Sequence, residues 1–150
     1  GRFEVLVLPL GNGSLLNGAA SWIKAHAPDI RVIGVCAEGA DAMAASWKEG
    51  RPVERGTVNT IADGIAVRRP VPEALSDMVG LVDDVLLVSE GAIQDAMRAI
   101  FQKAGLVVEP AGAVGVAAAM EHSSLRSGSL ATVLCGSNLT QEQMRSWLFH

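Results

Sequence analysis

The sequence predicts an α/β fold, a three-layer sandwich with a mostly parallel sheet, because four short apolar runs rich in β-formers alternate with segments of helical periodicity. The runs are continuous rather than alternating in polarity, as strands buried on both faces require. No repeat, low-complexity tract or linker breaks the pattern, so 1–150 reads as a single α/β domain. Its 150 residues, 49% of them apolar, suffice for one core.

Val5 to Leu8 is the first such run, and Pro9 with Gly11-Asn12-Gly13-Ser14 makes it a buried strand entering a tight turn. Leu16, Ala19, Ala20, Ile23 and Ala27 then fall at helical spacing, and Pro28-Asp29 closes that helix before the second strand, Val32 to Cys36. Ala40, Met43, Ala44 and Trp47 mark a second helix ending near Gly50. A loop-rich stretch through Gly56 and Ile61-Ala62-Asp63-Gly64 follows, where organisation is weakest. Val85 to Val88 is the third strand. Ser89 caps a helix with Ile93, Met97 and Ile100 on one face, stopped by Gly105. Ala111 to Met120 is an alanine-rich helix whose glycines suit close approach to the sheet or to a ligand. Leu130 to Cys135 is the fourth strand, Gly136-Ser137-Asn138 a turn, and Thr140 with Gln143 a capping box for the last helix.

Composition excludes several classes. A net charge of −4 with scattered Lys and Arg does not make a nucleic-acid surface. No apolar stretch is long enough for a membrane span, and the start lacks a signal-peptide pattern. Cys36 and Cys135 lie in apolar runs, not in metal-binding pairs, which points to a reducing, cytoplasmic setting. The opening Gly1-Arg2-Phe3-Glu4, without an initiator methionine, is expected of a fragment or a processed product.

The chemistry expected of such a sheet lies beyond the carboxyl ends of its strands. Gly11-Asn12-Gly13-Ser14 leads straight from strand to helix, so its backbone N–H groups and the helix dipole suit a phosphate, with the Ser14 hydroxyl as a further donor. A purely structural strand-to-helix turn wants the same residues. The loop is neither a Walker loop, which ends in Gly-Lys-Ser/Thr, nor the dinucleotide fingerprint, which needs glycine where Leu16 stands; Gly18 comes two places late.

The run Pro9-Leu10-Gly11-Asn12-Gly13-Ser14-Leu15-Leu16-Asn17-Gly18 resembles the phosphate loop of fold-type II pyridoxal-phosphate enzymes. Further segments resemble the threonine/serine dehydratase and serine racemase branch in the same order. They are Ile33-Gly34-Val35 with Glu38 to Met43, Thr60 to Val67, and Val82-Asp83-Asp84-Val85 continuing to Val108-Glu109-Pro110-Ala111-Gly112-Ala113. Leu134-Cys135-Gly136-Ser137-Asn138 resembles the turn that meets the cofactor ring nitrogen.

The resemblance implies that the chain is the C-terminal, Rossmann-like part of the large cofactor-binding domain. It implies that the backbone of Gly11, Asn12, Gly13, Ser14 and Leu15 holds the phosphate of pyridoxal 5'-phosphate, that the loop with Gly64 lies beside the ring, and that Cys135 faces the pyridine nitrogen. The resemblance also implies that Glu109, in Glu-Pro-Ala-Gly, lies near the cofactor, a candidate for a direct catalytic role. Read without the family, Cys135 is a small buried residue at a strand end, Asp63-Gly64 a turn, and Glu109 before Pro110 a turn or cap residue.

Departures matter as much. The family's Schiff-base lysine belongs to an upstream segment absent from this chain, so no catalytic residue is assigned within it. Lys24, Lys48 and Lys103 read as solvated helix positions. Metal-activated members place acidic ligands where Cys36 and Ala42 stand, and Glu38 with Asp41 does not restore an oxygen-rich set, so no metal site is expected. His26, His122 and His150 read as isolated surface residues. About ten residues follow Asn138, so neither a regulatory domain nor feedback by an amino acid is expected of this chain.

Two functions therefore stand open: the cradle of a lyase acting on serine or threonine, with racemisation on the same scaffold, or a non-catalytic phosphate-binding or partner-assembly module. The first strand, close to the terminus, is expected to expose a sheet edge that the missing N-terminal half covers, favouring self-association.

Overall fold

The computed structural model describes residues 3–149. Strands β1 (Val5–Pro9), β2 (Arg31–Ala37), β3 (Asp84–Val88) and β4 (Leu130–Thr132) form one sheet in the order β3-β2-β1-β4, with every pairing parallel. Helices α1 (Ser14–His26), α2 (Ala42–Glu49) and α3 (Pro72–Met78) join the first three strands, and α4 (Glu90–Ala104) and α5 (Pro110–Glu121) lead to β4. Helix α6 (Gln141–Leu148) closes the chain behind the expected box, in which Thr140 and Gln143 each accept the other's backbone N–H.

Strand side chains alternate between two cores. Leu6, Leu8, Val32 and Cys36 pack with Leu16, Ile23, Met43, Leu75 and Met78 from α1, α2 and α3. Val7, Ile33, Val35 and Val88 pack with Ile93, Met97, Val114 and Leu148 from α4, α5 and α6. The sheet is the middle of three layers, as the uninterrupted apolar runs require. Ser89 caps α4 through the Ala92 N–H, and Gly105 ends it at φ 68°.

Several expectations need correction. Strand β1 does not lie at an edge: it pairs with β2 on one side and β4 on the other, leaving β3 and β4 outermost among the described residues. The fourth strand stops at Thr132 instead of Cys135. Leu10 N–H donates towards β2, to Val35, so the neighbouring nitrogen, that of Pro9, faces β4 with no hydrogen to give. The stretch after Gly50 contains α3, seven residues with two buried apolar side chains, Leu75 and Met78, too short to announce a period. The second helix begins at Ala42, after a single 3₁₀ turn at Glu38–Ala40.

Lys24 is a further correction, being no solvated lysine. Its side chain is 18% exposed, and Nζ donates to Asp83 Oδ2 at 2.7 Å and to the Ile30 carbonyl at 3.0 Å, tying α1 to the start of β3. Asp83 Oδ2 also accepts the Val32 N–H at 2.7 Å. His122 is likewise half-buried, its Nε2 2.7 Å from the Leu87 carbonyl, whereas His26 sits on the surface with its ring stacked on Trp22; His150 lies outside the described residues.

Two carboxyls are held below the usual carboxylate range. At Asp41 the hydrogen bonds from Arg55, at 2.7 and 2.6 Å, outweigh burial. At Asp83 burial pushes upward, but the Lys24 and Val32 hydrogen bonds and the charges of Lys24 and Arg31 outweigh it. Both groups stabilise the fold as carboxylates, so their contribution is complete above the unfolded aspartate value of about 4 and is lost as the pH falls through their lower folded values. The pairs are partly exposed and screened, so urea unfolding is expected to show a change of slope below pH of about 4 rather than a collapse. The double variant Asp41→Asn/Asp83→Asn should lose stability less steeply there; an unchanged slope would refute the assignment.

Candidate functional site

Strands β1, β2 and β3 advance in one direction across the sheet with their helices on one face, and β4 returns on the other side of β1 after helices on the opposite face. The chain therefore diverges at the carboxyl ends of β1 and β4, and a crevice opens there. The loop after β1 supplies one wall. Gly13 is the N-cap of α1 at φ 89°, a left-handed conformation that favours glycine. No side chain caps α1, and its first turn holds no acidic residue. The first amide inside the helix ladder is Asn17 N–H, donating to Gly13 O, so those of Ser14, Leu15 and Leu16 have no intrahelical acceptor.

The second wall is the 3₁₀ turn Asp63–Ile65. A Cβ on Gly11 would stand 3.3 Å from the Gly64 carbonyl, and one on Gly64 would stand 3.0 Å from the Ala111 side chain, so small residues set the width here. Ile61 N–H donates to Glu90 Oε2 at 2.9 Å, which fixes this segment against α4. Nothing in the sequence singles out Glu90 for that task, because an acidic residue in a first helical turn is ordinary.

The third wall is the start of α5 against the turn after β4. All seven positions expected from the sequence, Gly11, Asn12, Gly13, Ser14, Leu15, Gly64 and Cys135, line one cleft of about 260 Å³, together with Glu109 and Ala111. The Asn12 side chain is spent outside it, accepting the Val71 N–H at 3.2 Å. Cys135 is half-buried, and burial, followed by the negative charge of Glu109, raises its thiol above the ordinary value. It is a neutral S–H at physiological pH. Cys36, by contrast, is fully buried, donates to the Leu10 carbonyl at 3.4 Å and is pushed up to about 12 by burial, which makes it inert.

Glu109 occupies the N-cap of α5 but does not cap it. Its carboxylate turns to the facing loop and accepts the Asn138 N–H at 3.3 Å, while its own N–H donates to Gly136 O at 3.1 Å. A larger hollow of about 470 Å³ lies between α1 and α3, but Asp77 lines it and the strand ends do not, which suits an anion poorly. None of Lys24, Lys48 and Lys103 lines the crevice. Among the described residues no three His, Cys, Asp or Glu side chains gather into a metal-binding group, and no helix is long and apolar enough to cross a membrane.

A family model described as pyridoxal-phosphate dependent enzyme matches residues 1–136. The chain belongs to the pyridoxal-phosphate dependent enzymes. Within that family, it is 38% identical over 136 residues to an L-threonine ammonia-lyase of Thermotoga maritima, covering 91% of this chain and 34% of the relative. It is 36% identical to the catabolic L-threonine dehydratase of Escherichia coli K12, covering 89% and 42%. The chain thus spans well under half the length of these relatives. Among solved structures, a threonine deaminase of T.th. superposes with a TM-score of 0.89 at 34% identity, over 93% of this chain and 51% of that one. Maize serine racemase gives 0.88 at 30%, over 97% and 46%. The pyridoxal-phosphate family is as the sequence segments implied, and these relatives and neighbours are of the threonine dehydratase and serine racemase branch that the segments resemble.

Proposed function

We propose that this chain is the cofactor-cradling part of a threonine/serine dehydratase, an ammonia-lyase that turns a hydroxy amino acid into a 2-oxo acid and ammonia. Residues 1–150 form the C-terminal part of its large domain, and the Schiff-base lysine comes from outside them. One observation carries the reading: the uncapped, carboxylate-free N-terminus of α1 opens on the same cleft as Gly64 and Cys135.

The residues fit pyridoxal phosphate. Backbone amides of Gly11 to Leu15 and the Ser14 hydroxyl would hold its phosphate, aided by the α1 dipole and by glycines whose missing Cβ atoms leave the loop free to close on an anion. At the other end Cys135, protonated at neutral pH, would donate to an unprotonated ring nitrogen. When bound, the cofactor supplies an electron sink for a carbanion at the amino acid Cα. A thiol partner, unlike a carboxylate, leaves the ring nitrogen uncharged, and that weaker sink suits loss of a β-hydroxyl. Gly64 and Ile65, which line the cleft, would exclude water from the ring's flank. The two free thiols support a reducing, cytoplasmic setting.

Titration of the purified chain with pyridoxal phosphate, and with pyridoxine phosphate, which has no aldehyde, tests this. Both should bind with similar, salt-sensitive affinity, followed through tryptophan fluorescence. Borohydride should trap no lysine adduct, and L-threonine and L-serine should yield neither 2-oxo acid nor the D-isomer. A trapped lysine with turnover would overturn the placement of the catalytic lysine elsewhere, and failure of both ligands to bind would overturn the cradle.

A further inference from the structure

We propose that Glu109 is the positioning residue of this cleft: its carboxylate clamps the turn Gly136–Asn138 and so fixes where the Cys135 thiol sits. The proposal deepens the cradle reading and rests on it for the ligand's identity. Three observations meet at one place. Asn138 N–H donates to Glu109 Oε2 at 3.3 Å, and Glu109 N–H donates back to Gly136 O at 3.1 Å, so side chain and backbone of one residue grip both ends of a three-residue turn. Gly136 has φ 73°, and a Cβ there would overlap the Glu109 carboxyl group, so the carboxylate fills the space that any other residue at 136 would claim. On the near side of the turn, a Cβ on Gly112 would overlap the Cys135 carbonyl oxygen, which brings α5 onto the backbone of Cys135 itself. Cys135 is thus held from below by α5 and from its C-terminal side by Glu109.

The clamp also sets the electrostatics of the thiol. The elements around Cys135 are the glycine loop 11–15, which carries no charge, the turn Asp63–Ile65, whose one carboxylate belongs to an exposed residue, and α5, which presents Glu109. A fixed negative charge beside a half-buried thiol disfavours the thiolate. Position and protonation are then served by the same side chain: the thiol is placed at the cleft wall and kept as a donor. A residue that only capped α5 would do neither, and Glu109 makes no side-chain capping bond.

The test needs no cofactor. Alkylation of Cys135 by iodoacetamide is followed against pH in the purified chain, with Cys135→Ala as the blank; the fully buried Cys36 contributes only background. Glu109→Gln keeps an acceptor for the Asn138 N–H but removes the charge, and should raise the alkylation rate at pH 8 about twofold or more by moving the profile to lower pH. Glu109→Ala should do the same and also speed hydrogen exchange at the Asn138 amide, whereas Glu109→Asp should leave the profile near that of the parent. Thermal unfolding of each variant separates these effects from loss of fold, and Glu109→Gln decides the matter should Glu109→Ala fail to fold. A Glu109→Gln profile superimposable on the parent's, in a folded chain, would overturn the proposal. A shifted profile in a chain that binds neither pyridoxal phosphate nor pyridoxine phosphate would leave the clamp standing and remove the cofactor reading.

Discussion

Gly112→Ala is expected to destabilise the chain by about 3 kcal/mol, because overpacking at a closed contact forces the backbone to move. Gly112 lies in α5, where intrinsic propensity alone favours alanine by nearly 1 kcal/mol. A Cβ there would overlap the Cys135 carbonyl oxygen and stand 2.8 Å from Val108 Cγ1, and neither neighbour is the free end of a flexible chain. The strain outweighs the propensity gain. Gly18, in α1, is the control: nothing lies within 4 Å of its Cβ position, so Gly18→Ala should add about 0.5–1 kcal/mol. Urea unfolding of the two variants beside the parent measures both, and a Gly112→Ala chain as stable as the parent would mean that α5 does not bear on the Cys135 turn.

Ser14→Asp is expected to weaken pyridoxine phosphate binding roughly a hundredfold while leaving the unliganded chain as stable or slightly more so. Ser14 opens α1, where a carboxylate gains about 0.3–1 kcal/mol from the helix dipole. The same carboxylate stands where the ligand's phosphate is proposed to sit, and repulsion between it and a dianion at close range costs about 3 kcal/mol. Ser14→Ala isolates the hydroxyl, whose loss costs about 1 kcal/mol. Opposite signs for stability and affinity in Ser14→Asp distinguish an occupied helix terminus from a merely structural one. Undiminished binding would place the phosphate elsewhere.

Legibility follows the range of the interaction. The strand at Val5–Pro9, the cap at Ser89, the stop at Gly105 and the Thr140–Gln143 box all rest on residues within a few positions of one another, and all are found where the sequence puts them. Helix α3 escapes a sequence reading because two buried side chains do not make a period, and β4 reads as overlong because its end depends on a proline of β1, about 120 residues earlier in the chain. Lys24 reads as solvated because nothing in its own helix announces Asp83. Glu109, which only the resemblance puts near the cofactor, reads locally as a turn or cap residue because its partners, Gly136 and Asn138, lie on another element.

By itself the sequence determined the α/β class, the glycine loop and the family, since these are written in local periodicity and in short ordered segments. Only the tertiary structure decided that β1 is central, that Gly11–Leu15, Gly64 and Cys135 share one cleft, that a Cβ on Gly112 would meet the Cys135 backbone where one on Gly18 would meet nothing, and that Glu109 grips the turn beside Cys135. The reason is physical: those properties belong to pairs of residues far apart in the chain, and no residue carries in its local pattern a mark of the distant group that packing brings against it.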